Sequence, residues 1–246
     1  MTEVSPRAHA AYQAIRQAII EQALKPGTKL PEDEVGAHFG VSRTLVRATL
    51  ARLQAEGLVE TQPKRTARVA QPTLKEAKEI FDLRRVLERE AVRLVAERWR
   101  PGFEAELEGL VREEAAAKAQ NDERVSIRLA GEFHIKLAAL TDNGLLQRYV
   151  GEVVSRCSLI LATFARPHSS QCAIDEHHQI IDALRRRDQA AAIAVMDQHL
   201  GSVERRALLT DEWDQEPNLG ALLSHYTAAA GIGAGDISNV KRGAEG

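Results

Sequence analysis

The sequence predicts a mainly α protein: a small N-terminal unit of three helices and a hairpin, followed by an antiparallel all-helical bundle. Three observations lead there. Alanine, leucine, arginine and glutamate dominate while aromatics make up 4% of the 246 residues, which favours helix over sheet. Glycine and proline break residues 1–72 into short segments. From 73 to 209 the breaks are far apart and no alternating strand pattern occurs.

This length allows one or two domains with a core that needs no disulfide or metal to fold. Two cysteines, Cys157 and Cys172, make no disulfide framework and point to a reducing compartment. No apolar run reaches membrane-span length, and the N-terminus lacks the apolar stretch of a signal peptide, so the expected location is the cytoplasm. A formal net charge of -2 excludes a wholly basic nucleic-acid coat protein. The charge is uneven, however. Residues 1–71 carry ten Lys/Arg against seven Asp/Glu, leaving 23 against 28 for the remainder. The first part is suited to meeting phosphates and the second is not.

The N-terminal elements follow in order. Tyr12, Ile15, Ile19 and Ile20 mark an amphipathic helix that ends at the turn Lys25-Pro26-Gly27. Pro31 suits the first turn of a second helix, with Glu32, Asp33 and Glu34 at the positive end of its dipole and Gly40 as its stop. Ser42 is a good N-cap for a third helix, whose inner side carries Val46, Leu50 and Leu53. Residues 58–61 and 67–70 are two short strands, and the loop between them holds Lys64, Arg65 and Thr66.

Helix, tight glycine turn, helix and basic hairpin is the order of a winged helix-turn-helix, which sets its third helix in a DNA major groove. The first exposed positions of that helix are Arg43, Thr44 and Arg47. The two arginines lie four apart on one face, where each can grip phosphate or fork onto a guanine edge. Lys64 and Arg65 at the hairpin tip are within reach of a minor groove or backbone. A solvated helix face is the bland alternative. The coincidence of element order, cationic wing and charge asymmetry favours DNA.

After Gln71-Pro72-Thr73, breaks near Pro101, Asn121, Asn143, Pro167 and Asp188 divide residues 73–209 into about six helices. Three histidines stand on apolar faces there: His134, His177 and His199. His177 lies eleven residues before Asp188 and His199 eleven after it. A chain reversal at Asp188 returns both to one level of the bundle, about 16 Å from the turn. With His134 as a third, they are a candidate site for zinc, nickel or a similar ion. His178 fits nearly as well as His177 by periodicity, and a lone core histidine is usually hydrogen-bonded and nothing more. The domains expected are a DNA-binding unit at 1–72, a helical effector-binding and dimerisation unit at 73–210, and a tail at 211–246. Five of the sixteen glycines fall in the last twenty residues, and the tail reads as flexible.

The segments Leu24-Lys25-Pro26-Gly27-Thr28-Lys29-Leu30, Gly40-Val41-Ser42-Arg43-Thr44-Leu45-Val46-Arg47 and Leu53-Gln54-Ala55-Glu56-Gly57-Leu58-Val59 resemble the N-terminal domain of GntR-family transcription regulators. The resemblance implies DNA contacts from Arg43, Thr44 and Arg47 and a wing in the minor groove. Leu45 stands where proline is common and Thr66 where glycine is usual. Further on, Phe81-Asp82-Leu83-Arg84-Arg85-Val86-Leu87-Glu88, Glu132-Phe133-His134 with Asp142-Asn143, Glu176-His177 and Met196-Asp197-Gln198-His199-Leu200 resemble the FCD effector domain of the FadR-type subfamily. That resemblance implies an FCD-like antiparallel bundle with a metal on one aspartate and three histidines, here His134, His177 and His199. The aspartate position is Ala130, so the fourth protein ligand is missing. It further implies that Arg84 faces an effector carboxylate, with Asn143 as another candidate contact. The alternative for Arg84 is a surface pair with Glu88 four residues on.

These readings combine into a homodimeric, DNA-binding transcription regulator, a repressor released by a small carboxylate, with no membrane partner and no enzymatic turnover. A metal-dependent hydrolase on the three histidines is the alternative, because three histidines with an open position is a catalytic zinc geometry. No catalytic motif supports it, and no carboxylate is expected beside the histidines as a general base.

Overall fold

A computed structural model of the chain describes residues 6–164 and 171–208. The N-terminal unit contains α1 (Pro6–Ile20), β1 (Lys29–Leu30), α2 (Glu32–Phe39), α3 (Arg43–Ala55), β2 (Val59–Glu60) and β3 (Ala67–Val69). The bundle contains α4 (Leu74–Glu97), α5 (Pro101–Ala119), α6 (Glu123–Ala139), α7 (Gly144–Phe164), α8 (Gln171–Arg185) and α9 (Gln189–Leu208). The mainly α architecture is as expected. The tail at 211–246 and the break at Pro167 lie outside the described residues, as does the side chain of Cys172.

Local chemistry sets most boundaries. Gly40 ends α2 at φ 63. The Ser42 hydroxyl accepts from Leu45 N at 3.4 Å and starts α3. Pro31 stands one place earlier than expected, at the extended N-cap of α2. Thr73 and Glu76 form a reciprocal capping box that opens α4, a feature worth about 1 kcal/mol. Asp122 and Asp188 cap α6 and α9.

The hairpin is really three-stranded. β1 pairs antiparallel with β3, Lys29 opposite Arg68, and β2 pairs with its other edge, Val59 opposite Val69. A two-residue strand shows no alternation, so nothing in the sequence marks β1. The Gly27 turn at φ 81 sets it in place, with Gly27 N donating to Val69 O at 2.9 Å.

Tyr12, Ile15, Ile19, Leu30, Val46, Leu50, Leu53, Leu58 and Val69 form the core of the N-terminal unit, and Leu159 of α7 completes it. Burying such a leucine contributes about 1.5–3 kcal/mol to holding α7 against this unit. Polar links flank it. Arg16 donates to Ser155 Oγ at 2.6 Å, and Arg156 Nε donates to Glu56 O at the C-terminus of α3 at 3.2 Å. Gly57, at φ 72, permits that approach, since a Cβ there would collide with the Arg156 guanidinium. In the bundle, α4 touches α6, α7, α8 and α9, and α5 packs on α6 and α8. One apolar cluster gathers around Phe133, Leu137, Ile181 and Met196, and another around Phe81, Cys157 and Val203. The histidines sit where these meet.

Candidate metal centre and DNA-reading face

His134 of α6, His177 of α8 and His199 of α9 are all buried, and one ring nitrogen from each lies within 4.8 Å of the others. The antiparallel α8–α9 pair closes as the spacing about Asp188 required, with ring centroids of His177 and His199 4.8 Å apart. Phe133 stacks on His177 at 4.2 Å and holds its plane. Periodicity leaves His178 open as a candidate. The structure places it at the half-exposed edge, 3.4 Å from Glu108, outside the cluster.

Three buried glutamates, whose contact with the histidines the sequence did not indicate, orient the rings. His134 Nδ1 donates to Glu88 Oε2 at 2.5 Å, His177 Nδ1 to Glu114 Oε2 at 3.0 Å, and His199 Nδ1 to Glu176 Oε2 at 2.8 Å. An ionised carboxylate only accepts, so each of these fixes the ring proton on Nδ1 and leaves Nε2 with a lone pair. Carboxylates do stand beside the histidines, which the sequence did not indicate. Each carboxylate, however, lies on the Nδ1 side, away from the Nε2 atoms, which is an orienting position and not that of a general base.

Arg84 stands behind Glu88. Its Nε donates to Glu88 Oε1 at 2.5 Å and its Nη1 contacts Cys157 Sγ at 3.2 Å. The pair with Glu88 is buried, not on the surface. Burial raises the Glu88 carboxyl, but Arg84 and His134 outweigh that and hold it at about 2. Burial pushes His134 down to about 4, only partly offset by Glu88. His199 falls well below its ordinary value through burial and the neighbouring imidazoles. Burial also raises the Cys157 thiol.

At neutral pH His134 and His199 are thus uncharged, and their Nε2 atoms face each other at 3.2 Å, lone pair to lone pair. Among the described residues, His177 Nε2 and Glu114 Oε1 are buried without a hydrogen-bond partner. The unfolded chain titrates these two histidines near 6.5, so it binds more protons than the folded chain between about 6.5 and 4. The metal-free protein is therefore expected to lose stability as pH falls through that window, read as a lower urea midpoint at about pH 5 than at about pH 7.

A cavity of about 330 Å³ opens over the cluster, lined by Arg84, Ala130, His134, Cys157 and His199 among others. Ala130, one turn before His134, leaves room where the resemblance places an aspartate. Asn143 does not line this cavity. Its Oδ1 accepts from Leu146 N at 3.1 Å and caps α7, so its expected effector role finds no geometric support.

On the N-terminal unit, Arg43, Thr44 and Arg47 are exposed on α3, and Lys64, Arg65 and Thr66 are exposed in the wing. Arg43 forks onto Asp33 at 2.5 and 2.8 Å, and Arg47 lies 3.9 Å from Glu32. Such exposed pairs contribute little, so phosphate can displace them. They hold the two guanidinium groups along one edge of α3. The wing turn takes its positive φ at Lys64, 61°, not at Thr66.

A winged helix with a cationic reading face, joined to a bundle around a histidine-lined cavity, defines a DNA-binding regulator that responds to a small molecule. Residues 7–69 match the family model described as bacterial regulatory proteins, gntR family, and residues 79–202 match the FCD domain. The chain belongs to the GntR family of transcription regulators and carries an FCD effector domain. It is 26% identical over 188 residues to the uncharacterized HTH-type transcriptional regulator YdhC of Bacillus subtilis (strain 168), covering 74% of this chain and 82% of that one. It is 24% identical over 193 residues to the HTH-type transcriptional repressor RspR of Escherichia coli (strain K12), covering 78% and 85%. Among solved structures, E. coli McbR/YncC superposes with a TM-score of 0.72 at 21% identity, covering 82% of this chain and 95% of that one. A GntR chain from Rhodococcus sp. RHA1 superposes at 0.73 and 24% identity, covering 83% and 98%. Membership in this family leaves the hydrolase alternative without support. Among the described residues, no helix is long and apolar enough to cross a membrane.

Proposed function

We propose that the chain is a homodimeric repressor whose residues 1–72 read an operator and whose residues 73–210 dimerise and bind a small carboxylate at a divalent metal, zinc or nickel. The observation that carries this is the convergence of Nε2 lone pairs, each ring fixed from behind by a glutamate. The donor set fits such an ion. Two nitrogens bound tetrahedrally to zinc stand about 3.3 Å apart, close to the His134–His199 spacing of 3.2 Å. The orphaned His177 Nε2 would gain a partner. A metal there offers Lewis acidity for holding an anion. The chain supplies the rest: Ala130 leaves a coordination position open to a carboxylate.

For the dimer, Leu83 and Val86 on α4 and Leu145 and Tyr149 on α7 are exposed on two adjacent antiparallel helices. An apolar face of that kind suits the same face of a second copy. Two reading helices related by a two-fold axis then match a palindromic operator. The repressor sense is supported by the name of the E. coli relative RspR.

The test is metal analysis and calorimetry on the full chain. We expect one zinc or nickel ion per protomer, lost in His134→Ala/His177→Ala, and carboxylate binding that depends on that ion. Carboxylate binding unchanged in the histidine variant would contradict the reading.

A further inference from the structure

One wall of the cavity is not made by the bundle. Gln22, in the turn that ends α1 of the DNA-reading unit, lines it together with Ala130, His134 and His199. Gln22 has φ 57, a left-handed conformation that favours glycine at a helix end. It closes α1 there, with Gln22 N donating to Ile19 O at 3.0 Å and Leu24 N to Ala18 O at 2.9 Å. Glycine would serve this cap with less strain, so capping does not account for a side chain at this position.

The turn is also fastened to the part of α6 that forms the cavity. Arg128 donates to Glu21 at 2.9 Å and to Glu132 at 2.7 Å, straddling Ala130. The same cavity wall is thin on this side. Gly131, Val154 and Ser158 line both the cavity and a smaller cleft under α1. A Cβ on Gly131 would meet Val154 Cγ1 at 3.2 Å.

We propose that Gln22 is an effector-contacting residue, so that one small molecule over the histidines bridges the DNA-reading unit and the bundle. The inference rests on the effector reading above and deepens it. The ligand class that fits is a short dicarboxylate. One carboxylate faces the histidines, and the other accepts from the Gln22 side-chain amide; Lys118 and Glu123 also line the cavity. Its occupancy is therefore read at the seam between the two units without first moving the bundle.

Malonate serves as the probe, on the full chain loaded with Zn²⁺, by calorimetry and hydrogen–deuterium exchange. Gln22→Gly keeps the cap, so its melting temperature should hold or rise. Its malonate affinity is expected to fall about tenfold or more, the worth of one hydrogen bond to a charged group. Gln22→Glu, which brings a carboxylate against the ligand, should bind more weakly still. Malonate should slow exchange across residues 19–24 in the wild type but not in Gln22→Gly at saturation. Equal affinity and equal protection in wild type and Gln22→Gly, with binding still lost in His177→Ala, overturn the bridge alone. No malonate binding by the wild type overturns the carboxylate reading together with the bridge.

Discussion

Replacing Glu88 by alanine is expected to remove about 3–5 kcal/mol of folding stability, because it leaves a buried guanidinium without its counter-charge. Glu88 and Arg84 are 1% and 4% exposed, and the same carboxylate also holds the His134 ring. A domain has about 5–15 kcal/mol in total, so the variant should sit near the edge of unfolding. Replacing both partners at once, Arg84→Met/Glu88→Leu, removes the unpaired charge and should recover much of the loss. Urea unfolding of the metal-free protein measures both. A Glu88→Ala loss under about 1 kcal/mol would show that the pair is solvated and that the buried relay does not exist. The same variant should also weaken zinc binding by about 10–100-fold, since His134 loses the partner that fixes its tautomer.

The second large effect belongs to the reading helix. Arg43→Ala and Arg47→Ala should each weaken operator binding by about tenfold or more where the guanidinium forks onto guanine. A dimer applies each loss at both half-sites. Lys64→Ala and Arg65→Ala should act differently, weakening all sequences alike and lowering the salt slope by about one for each phosphate no longer neutralised. Fluorescence anisotropy on an operator chosen by in vitro selection, with two protomers bound per site, distinguishes the two patterns. Wild-type affinity in a folded Arg43→Ala/Arg47→Ala protein would remove α3 from the interface.

The bundle was legible in sequence because its breaks carry chemistry: Asp122, Asn143 and Asp188 each cap the helix that follows. The histidines were legible because two of them flank a turn at equal distance and all three interrupt apolar faces. The glutamates were not. Glu88 and Glu114 come from helices remote in sequence, and glutamate on a helix is ordinarily solvated, so nothing marks the buried ones. Glu176 precedes His177 but serves His199, because successive residues on a helix face apart. Arg84 was legible as a cavity residue and as the partner of Glu88, but not as buried. Its burial depends on how α4 packs against α7, which periodicity does not resolve. Gln22 carries no sequence signal at all, since its place in the cavity exists only once the two units are docked.

Leu159 sets an order of events during synthesis. The N-terminal unit leaves the ribosome first, yet a member of its apolar core is encoded about ninety residues after Val69, the last strand residue it packs with. At about 5–20 residues per second the nascent winged helix waits roughly 5–18 seconds for that leucine. Until then its floor is open, and Glu56 at the end of the reading helix lacks the Arg156 hydrogen bond that comes from the same stretch of α7. The apolar core of the reading unit is therefore complete only on a chain that has already made most of its sensor.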